Sequence, residues 1–209
     1  KPVIFVSIKV DSNGIISVTA KDKRNNTESS IKIKSQTSTL TQQMIDELIN
    51  NTLYSHYCIL FKNLEYHLLG NHLLENAFSL LFGAYYFQDE KLYNKSKNLI
   101  ISELNEQVLK DGAHFELSPM YHQIILFRLL DSIQLIKLNR EWKKDDLLSF
   151  LEQKASLMIS WLCNITYKNG DIPMVNDATF NIASNSKKIF TYAKHLGINS
   201  QDIPLSDSG

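Results

Sequence analysis

The sequence predicts a mainly α-helical protein preceded by a small three-stranded antiparallel β segment. Two observations carry this prediction. Apolar residues alternate with a period of two over residues 1–34, which is typical of strands with one buried face. From Leu40 onward the apolar spacing becomes helical, and no strand-like run of convincing length follows residue 50.

Three short strands account for the first part of the chain. The first strand covers 4–10, and Asn13-Gly14 then supplies the positive-φ positions that a hairpin turn needs. The second covers 16–20, and the third contains the alternating residues 31–34. Three strands alone bury too little surface to be stable, so we expect one apolar face of this sheet to be poorly covered.

About six helices are predicted to follow the strands. Thr39 or Thr41 can cap a first helix. The loops 110–118 and 168–185 are rich in Asp, Gly, Asn and Ser, and such loops tend to carry function. Glycine and proline residues separate the longer amphipathic stretches, which lie at roughly 52–69, 71–87, 90–109, 119–138, 145–167 and 186–196.

Composition excludes several classes of partner. The 209 residues include 22 basic and 22 acidic residues, so there is no electrostatic footprint for nucleic acid or an anionic membrane. The longest apolar run, 77–87, is shorter than the roughly 20 residues of a transmembrane helix, and no transmembrane segment is predicted. Cys58 and Cys163 lie far apart in apolar contexts and predict buried thiols. No metal site and no cofactor are predicted.

A polar cluster interrupts the apolar helical stretch near residue 71. His67, Asn71 and Glu75 are spaced four residues apart and would share one face of a helix, with His72 one step round. Burying such a stripe is costly unless its members hydrogen-bond each other or a ligand. The pattern therefore indicates either a core network that satisfies itself or a binding site.

A second cluster follows at Ser118-Pro119-Met120-Tyr121-His122. Pro119 suits the first position of a helix, and side chains at such a helix start can project into a cleft. His114 lies on the preceding loop. Taken singly, a residue like Tyr121 is more often a half-buried aromatic than an acid, and His114 or His122 is more often a surface or core histidine. Together, the two clusters offer an amide, imidazoles, a carboxylate and a phenol.

The order of these motifs resembles the helical N-terminal domain of the heparinase II/III family of polysaccharide lyases. The resemblance covers about residues 50–200. It is carried by the runs 64–76 and 111–122, with 161–162, 169–173 and 176–178 following in the family's order. It implies an incomplete (α/α) toroid of antiparallel helical hairpins, whose cleft binds an acidic polysaccharide that contains uronate.

The resemblance also implies a chemistry, namely β-elimination next to a uronate carboxylate. Asn71 and His72 would bind that carboxylate, and Tyr121 would transfer a proton. Glu75 would orient His72, and the other implied substrate-binding residues are His67, His114, His122 and Asn176.

Two features set limits on that implied activity. Many family members carry an arginine just before the Ser-Pro-Met-Tyr motif, where Leu117 stands here. Related lyases take a further catalytic histidine or tyrosine from a β-sandwich domain that follows the helical domain. The resemblance thus implies an enzyme for the parent protein, while these 209 residues alone can be inactive.

Residues 1–49 resemble a different family, the substrate-binding domain of DnaK-type chaperones, on the runs 6–23, 31–34 and 40–45. We therefore predict a chaperone-like fragment with the start of a lid helix over 1–49 and a partial lyase-like toroid over 50–209. An apolar peptide is the partner that the first fragment implies. The compartment stays open, since the lyase resemblance implies a periplasmic or secreted protein and the chaperone resemblance a cytoplasmic one.

Three hypotheses about function follow from the sequence. The first is a fragment of a uronate polysaccharide lyase. The second is a non-catalytic module that binds peptide or polysaccharide. The third is an accidental fusion of a chaperone fragment with a lyase fragment, whose seam would lie near Ile49-Asn50-Asn51.

Overall fold

A computed structural model describes residues 4–11, 15–23, 27–33, 41–142 and 147–200. The described chain contains a three-stranded antiparallel sheet and six helices, which confirms the predicted fold class. It divides into two compact units, Lys1–Thr52 and Leu53–Gly209. The elements are β1 (Ile4–Val10), β2 (Ile16–Asp22), β3 (Glu28–Ile33), α1 (Gln42–Lys62), α2 (Gly70–Phe87), α3 (Glu90–Gln107), α4 (Pro119–Leu138), α5 (Leu147–Ile165) and α6 (Ser186–Leu196).

The sheet has the order β1-β2-β3, and its register places Ile8 opposite Val18 and Val18 opposite Ile31. Ile8 and Ile31 at the two ends of this row are 66% and 60% exposed. The predicted lack of cover over this face is therefore confirmed. Asp11 accepts a hydrogen bond from the Ile15 amide at 2.9 Å where the hairpin re-forms, while the predicted turn residues 12–14 lie outside the described residues.

The helix boundaries agree with the apolar pattern except near residue 65. Thr41 caps α1 through a 3.3 Å bond from the Met44 amide, and the alternative cap Thr39 lies outside the described residues. The stretch predicted as a helix over 52–69 belongs to α1, which ends at Lys62. Leu69 has a φ of 57°, outside the right-handed helical region, and residues 63–69 form a turn between α1 and α2.

The second unit is built from helical pairs. α2 packs on α3, and α4 packs on α2, α5 and α6. The α2–α3 connection is short because Gln88 adopts the left-handed conformation and Asp89 caps α3 by accepting from the Leu92 amide at 3.0 Å. The core between these helices is aliphatic, with its largest fully buried side chains at Tyr93, Leu73, Leu74, Leu80, Leu81, Ile100, Leu104, Ile125, Leu126, Leu129, Leu130 and Ile133.

One prediction about the cysteines is wrong. Cys163 is exposed and Cys58 is half-buried, because each falls between the core-facing positions of its helix. Within the part of the chain that the structure describes, no helix is long and apolar enough to cross a membrane.

Candidate functional site

A cavity of about 470 Å³ lies at the starts of α2 and α4, and we call it the α2–α4 cavity. Helix starts, a tight hairpin after α3 and one residue of the loop 168–185 meet there. Three of the residues that the sequence predicted to be catalytic, Asn71, His72 and Tyr121, line it together. The full lining is Leu68, Leu69, Gly70, Asn71, His72, Glu106, Phe115, Glu116, Tyr121 and Asp177.

Asn71 and His72 occupy the first turn of α2. Asn71 is half-buried, and the His72 side chain is 58% exposed. The N-cap residue of α2 is Leu69, whose side chain cannot accept a hydrogen bond. No N-cap side chain therefore pairs with the first backbone N–H groups of this helix. A helix N-terminus carries partial positive charge, which favours an anionic ligand group beside Asn71 and His72.

A buried polar network fixes the position of this helix start. The Gln107 side chain is fully buried and donates to the Gly70 carbonyl at 2.8 Å. The same amide nitrogen donates to Glu103 at 2.9 Å, and the amide oxygen accepts from His114 Nε2 at 3.1 Å. This network joins Glu103, Gln107 and His114, none of which belongs to the His67-Asn71-Glu75 stripe for which the sequence offered a core network. Among the described residues, the buried His114 Nδ1 has no hydrogen-bond partner.

The carboxylate near His72 is Glu65. Glu65 Oε2 lies 3.9 Å from His72 Nδ1 and accepts a 3.0 Å bond from the Asn76 side chain. Glu75, which was predicted to orient His72, instead pairs with Arg128 at 3.3 Å. The reason is that residues 63–69 fold back as a turn, held by the Asn76 amide oxygen on the Glu65 backbone N–H at 3.0 Å.

Tyr121 approaches the cavity from the first turn of α4. Pro119 begins this helix, as the sequence predicted. Met120 and His122 on either side of Tyr121 are buried, whereas Tyr121 itself is half-buried and reaches the cavity wall. A phenol is thereby placed in the same cavity as the amide and the imidazole.

His114 and His122 lie in the core and not on the cavity wall. His122 Nδ1 accepts from the His114 backbone N–H at 3.3 Å, so the ring proton is on Nε2, which donates to the Met158 carbonyl at 3.0 Å. Its ring also lies 4.6 Å from that of Trp161, centroid to centroid. Burial lowers the pKa of His114 to about 4 and that of His122 to about 3, so both are neutral near pH 7. Both rings are fully buried in this structure, and the substrate contacts predicted for them stay predictions.

Two further predicted residues lie beside the cavity without lining it. His67 is exposed in the turn before α2, so it does not share a helical face with Asn71 and Glu75. Asn176 is exposed, has a φ of 47° and donates to the Leu117 carbonyl at 3.2 Å. This bond ties the loop 168–185 to the start of α4, next to Asp177 on the cavity wall.

Three carboxylates line the cavity, and of these the sequence pointed only to Asp177, as a loop residue beside Asn176 that could line the cleft. They are Glu106, Glu116 and Asp177. Partial burial raises the pKa of Glu116, Asp177 adds to the rise, and His72 opposes it. Glu116 lies within the motif run 111–122 and Asp177 within the run 176–178, so the sequence could point to both. Glu106 shows no such local signal. No group of three or more His, Cys, Asp or Glu within the described ranges is arranged to hold a metal ion.

The domain belongs to a class built from helical pairs, with a polar cavity at two helix starts. Comparison with known proteins identifies its family. Residues 21–203 match the family model described as Heparinase II/III N-terminus. The match covers most of the chain, which therefore belongs to this family. No curated protein and no solved structure gives a match. None of these comparisons supports the chaperone resemblance of residues 1–49, and the family match itself already begins at residue 21.

Proposed function

We propose that this chain supplies the helical part of a lyase site that cleaves uronate-containing acidic polysaccharide by β-elimination. The observation that carries the proposal is the meeting of Asn71, His72 and Tyr121 on the wall of one cavity. Family membership supports it, because the heparinase II/III family implies a relationship to polysaccharide lyases. The remaining part of the site would come from a C-terminal β-sandwich domain outside these residues.

Binding of the uronate carboxylate is the first task of such a site. The Asn71 amide donates without bringing a charge, the His72 imidazole donates from the adjacent position, and the uncapped start of α2 adds partial positive charge. Hydrogen bonds to the carboxylate withdraw charge from it, so that the proton on C5 becomes more acidic. Donors held in place before substrate arrives stabilise the enolate-like charge best.

Proton transfer is the second task, and we assign Tyr121 to the leaving group. In the elimination a base takes the C5 proton, the C4–O4 bond breaks, and a C4–C5 double bond forms while O4 takes a proton. A tyrosine phenol is protonated at neutral pH and can donate directly to O4. Among the residues that the structure describes, no lysine or arginine lines the cavity to stabilise a phenolate at this position. We assign the base to the further catalytic histidine or tyrosine that the resemblance implies in the following β-sandwich domain.

The division of the chain into 1–49 and 50–209 belongs to the same proposal. The second part would be the lyase-like toroid and the first a chaperone-like fragment whose strands offer exposed apolar residues to a peptide. Titration with apolar peptides and with acidic oligosaccharides separates the two roles. Binding of peptide without binding of sugar would favour the non-catalytic alternative.

Cleavage by the full-length parent tests the proposal. Uronate polysaccharides are incubated with the enzyme, and the ultraviolet absorbance of the unsaturated product is followed. Tyr121→Phe should lower kcat by about 10²–10⁴-fold, because it removes the proton donor and little else. Tyr167→Phe is the matched control, since Tyr167 is exposed and lines none of the cavities described here. Full activity in Tyr121→Phe would show that its assigned role is wrong.

A further inference from the structure

A second cavity, of about 460 Å³, lies between the loop 168–185 and the start of α6, and we call it the loop cavity. Its size falls in the usual range for small-ligand sites. Its lining includes Gln123 on α4, Phe180 and Asn181 on the loop, and Asn185 and Lys188 at the start of α6. None of these lines the α2–α4 cavity.

The chemistry of this wall suits a sugar. Gln123 is 3% exposed, and its amide is oriented by donating to Ser186 Oγ at 3.0 Å, which leaves its oxygen as an acceptor for a ligand hydroxyl. Asn181 adds a further amide to the lining. Phe180 is 53% exposed, so an apolar ring forms part of an otherwise polar wall. A flat apolar ring among hydrogen-bonding groups matches the two-sided character of a pyranose, which has C–H faces and hydroxyl edges.

Lys188 gives this wall a cation that can pair with a carboxylate. Lys188 is exposed and has no acidic partner among the described residues. Asp171, the one acid in the lining, is engaged by the Asn169 side chain at 2.6 Å. Asn185 caps α6, whose positive end therefore lies on the same wall.

The two cavities are close enough for one polysaccharide chain to reach both. Asp177 lines the first and Thr179 the second, and two residues span at most about 7 Å of extended chain. The loop 168–185 therefore brings the two cavities within reach of one polysaccharide chain.

We infer that the loop cavity is a second sugar subsite, in which Phe180 stacks on a uronate unit and Lys188 pairs with its carboxylate. This rests on the proposed function, because the unit belongs to the same polysaccharide whose neighbouring sugars occupy the α2–α4 cavity. Longer substrates would then bind more tightly than short ones, and Lys188 would contribute only once the chain is long enough.

Calorimetric titration of the whole chain with an oligouronate disaccharide and a hexasaccharide tests this inference. Lys188→Gln and Phe180→Ala should each weaken hexasaccharide binding about tenfold, because a charge-assisted bond or a stacked ring is lost. Disaccharide binding should keep its wild-type affinity in both variants. Lys187→Gln is the matched control, since Lys187 neighbours Lys188 but does not line this cavity. All replaced side chains are exposed, and thermal unfolding checks that each variant stays folded.

The outcomes separate the inference from the proposed function. Unchanged hexasaccharide affinity in Lys188→Gln and Phe180→Ala would overturn the inference, and so would an equal loss in Lys187→Gln, which would indicate diffuse attraction. If both variants weaken the hexasaccharide while Asn71→Ala changes neither binding nor cleavage, the loop cavity stands and the proposed lyase site fails. If wild type binds neither sugar, both are overturned.

Discussion

Two clusters of the helical unit contain histidine in opposite environments. His72 stands with Asn71 on the wall of the α2–α4 cavity, and its side chain is 58% exposed. His114 and His122 belong to the second cluster, around the start of α4, and are fully buried. Their ring nitrogens serve the fold, through Gln107 and the Met158 carbonyl. The proposed ligand-binding role of His72 and the structural role of the two buried histidines therefore follow from which protein groups surround each ring.

The largest predicted difference between the two clusters is in how the free energy of unfolding changes as the pH is lowered. His114 and His122 have folded pKa values of about 4 and about 3, below the ordinary value of 6.5. A lowered histidine pKa means that the unfolded chain binds the proton first. The stability that the neutral buried ring contributes is therefore fully present above pH 6.5 and is lost as the pH falls toward 4. The free energy of unfolding should fall by about 1.4 kcal/mol per pH unit for each histidine.

Chemical unfolding followed by helical circular dichroism from about pH 7 to about pH 4 measures this slope. His72→Ala serves as a control variant, because it leaves both buried rings in place. Glu116 acts in the opposite direction, since its raised pKa favours the folded state as pH falls. A flat profile over this range would contradict the buried, neutral state of the two histidines.

Replacement of one buried ring gives the next largest effect. His122→Ala removes a bond to the His114 amide, a bond to Met158 and the packing against Trp161. We expect the free energy of unfolding to fall by about 3 kcal/mol. His72→Ala should change it by no more than about 0.5 kcal/mol. Equal losses in both variants, measured by denaturant unfolding, would remove the distinction between the clusters.

The smallest predicted effect distinguishes two carboxylates near His72. Glu65→Gln should weaken binding of an oligouronate about threefold, because the pair with His72 is partly exposed and such pairs contribute little. Glu75→Gln should leave binding unchanged, since Glu75 pairs with Arg128. Calorimetric titration of both variants gives the comparison. A larger loss in Glu75→Gln would restore the role that the sequence assigned to it.

The sequence predicted helices well where burial follows a regular period. The limits of α4 and α6 were predicted as 119–138 and 186–196, the same as those observed. It failed at residues 63–69, because Asn76 holds Glu65 through two long-range hydrogen bonds that no local pattern reveals. That one turn removed His67 from the helical face and exchanged Glu75 for Glu65 beside His72.

The cavity itself was only partly predictable. Asn71, His72 and Tyr121 were found because motif order links two helix starts that are far apart in the chain. Glu106 could not be found, since an exposed glutamate on an amphipathic helix looks like any solvated residue. The burial of His122 was equally hidden, because its partner Met158 lies on a helix whose packing is a tertiary property.

The histidine NMR signals of the 209-residue chain, titrated with a uronate disaccharide, test the central claim most directly. If the α2–α4 cavity binds the carboxylate, the His72 ring signals shift and saturate while those of His114 and His122 stay unchanged. Movement of the His114 or His122 signals with a stationary His72 would contradict the assignment of one cluster to ligand and the other to the fold.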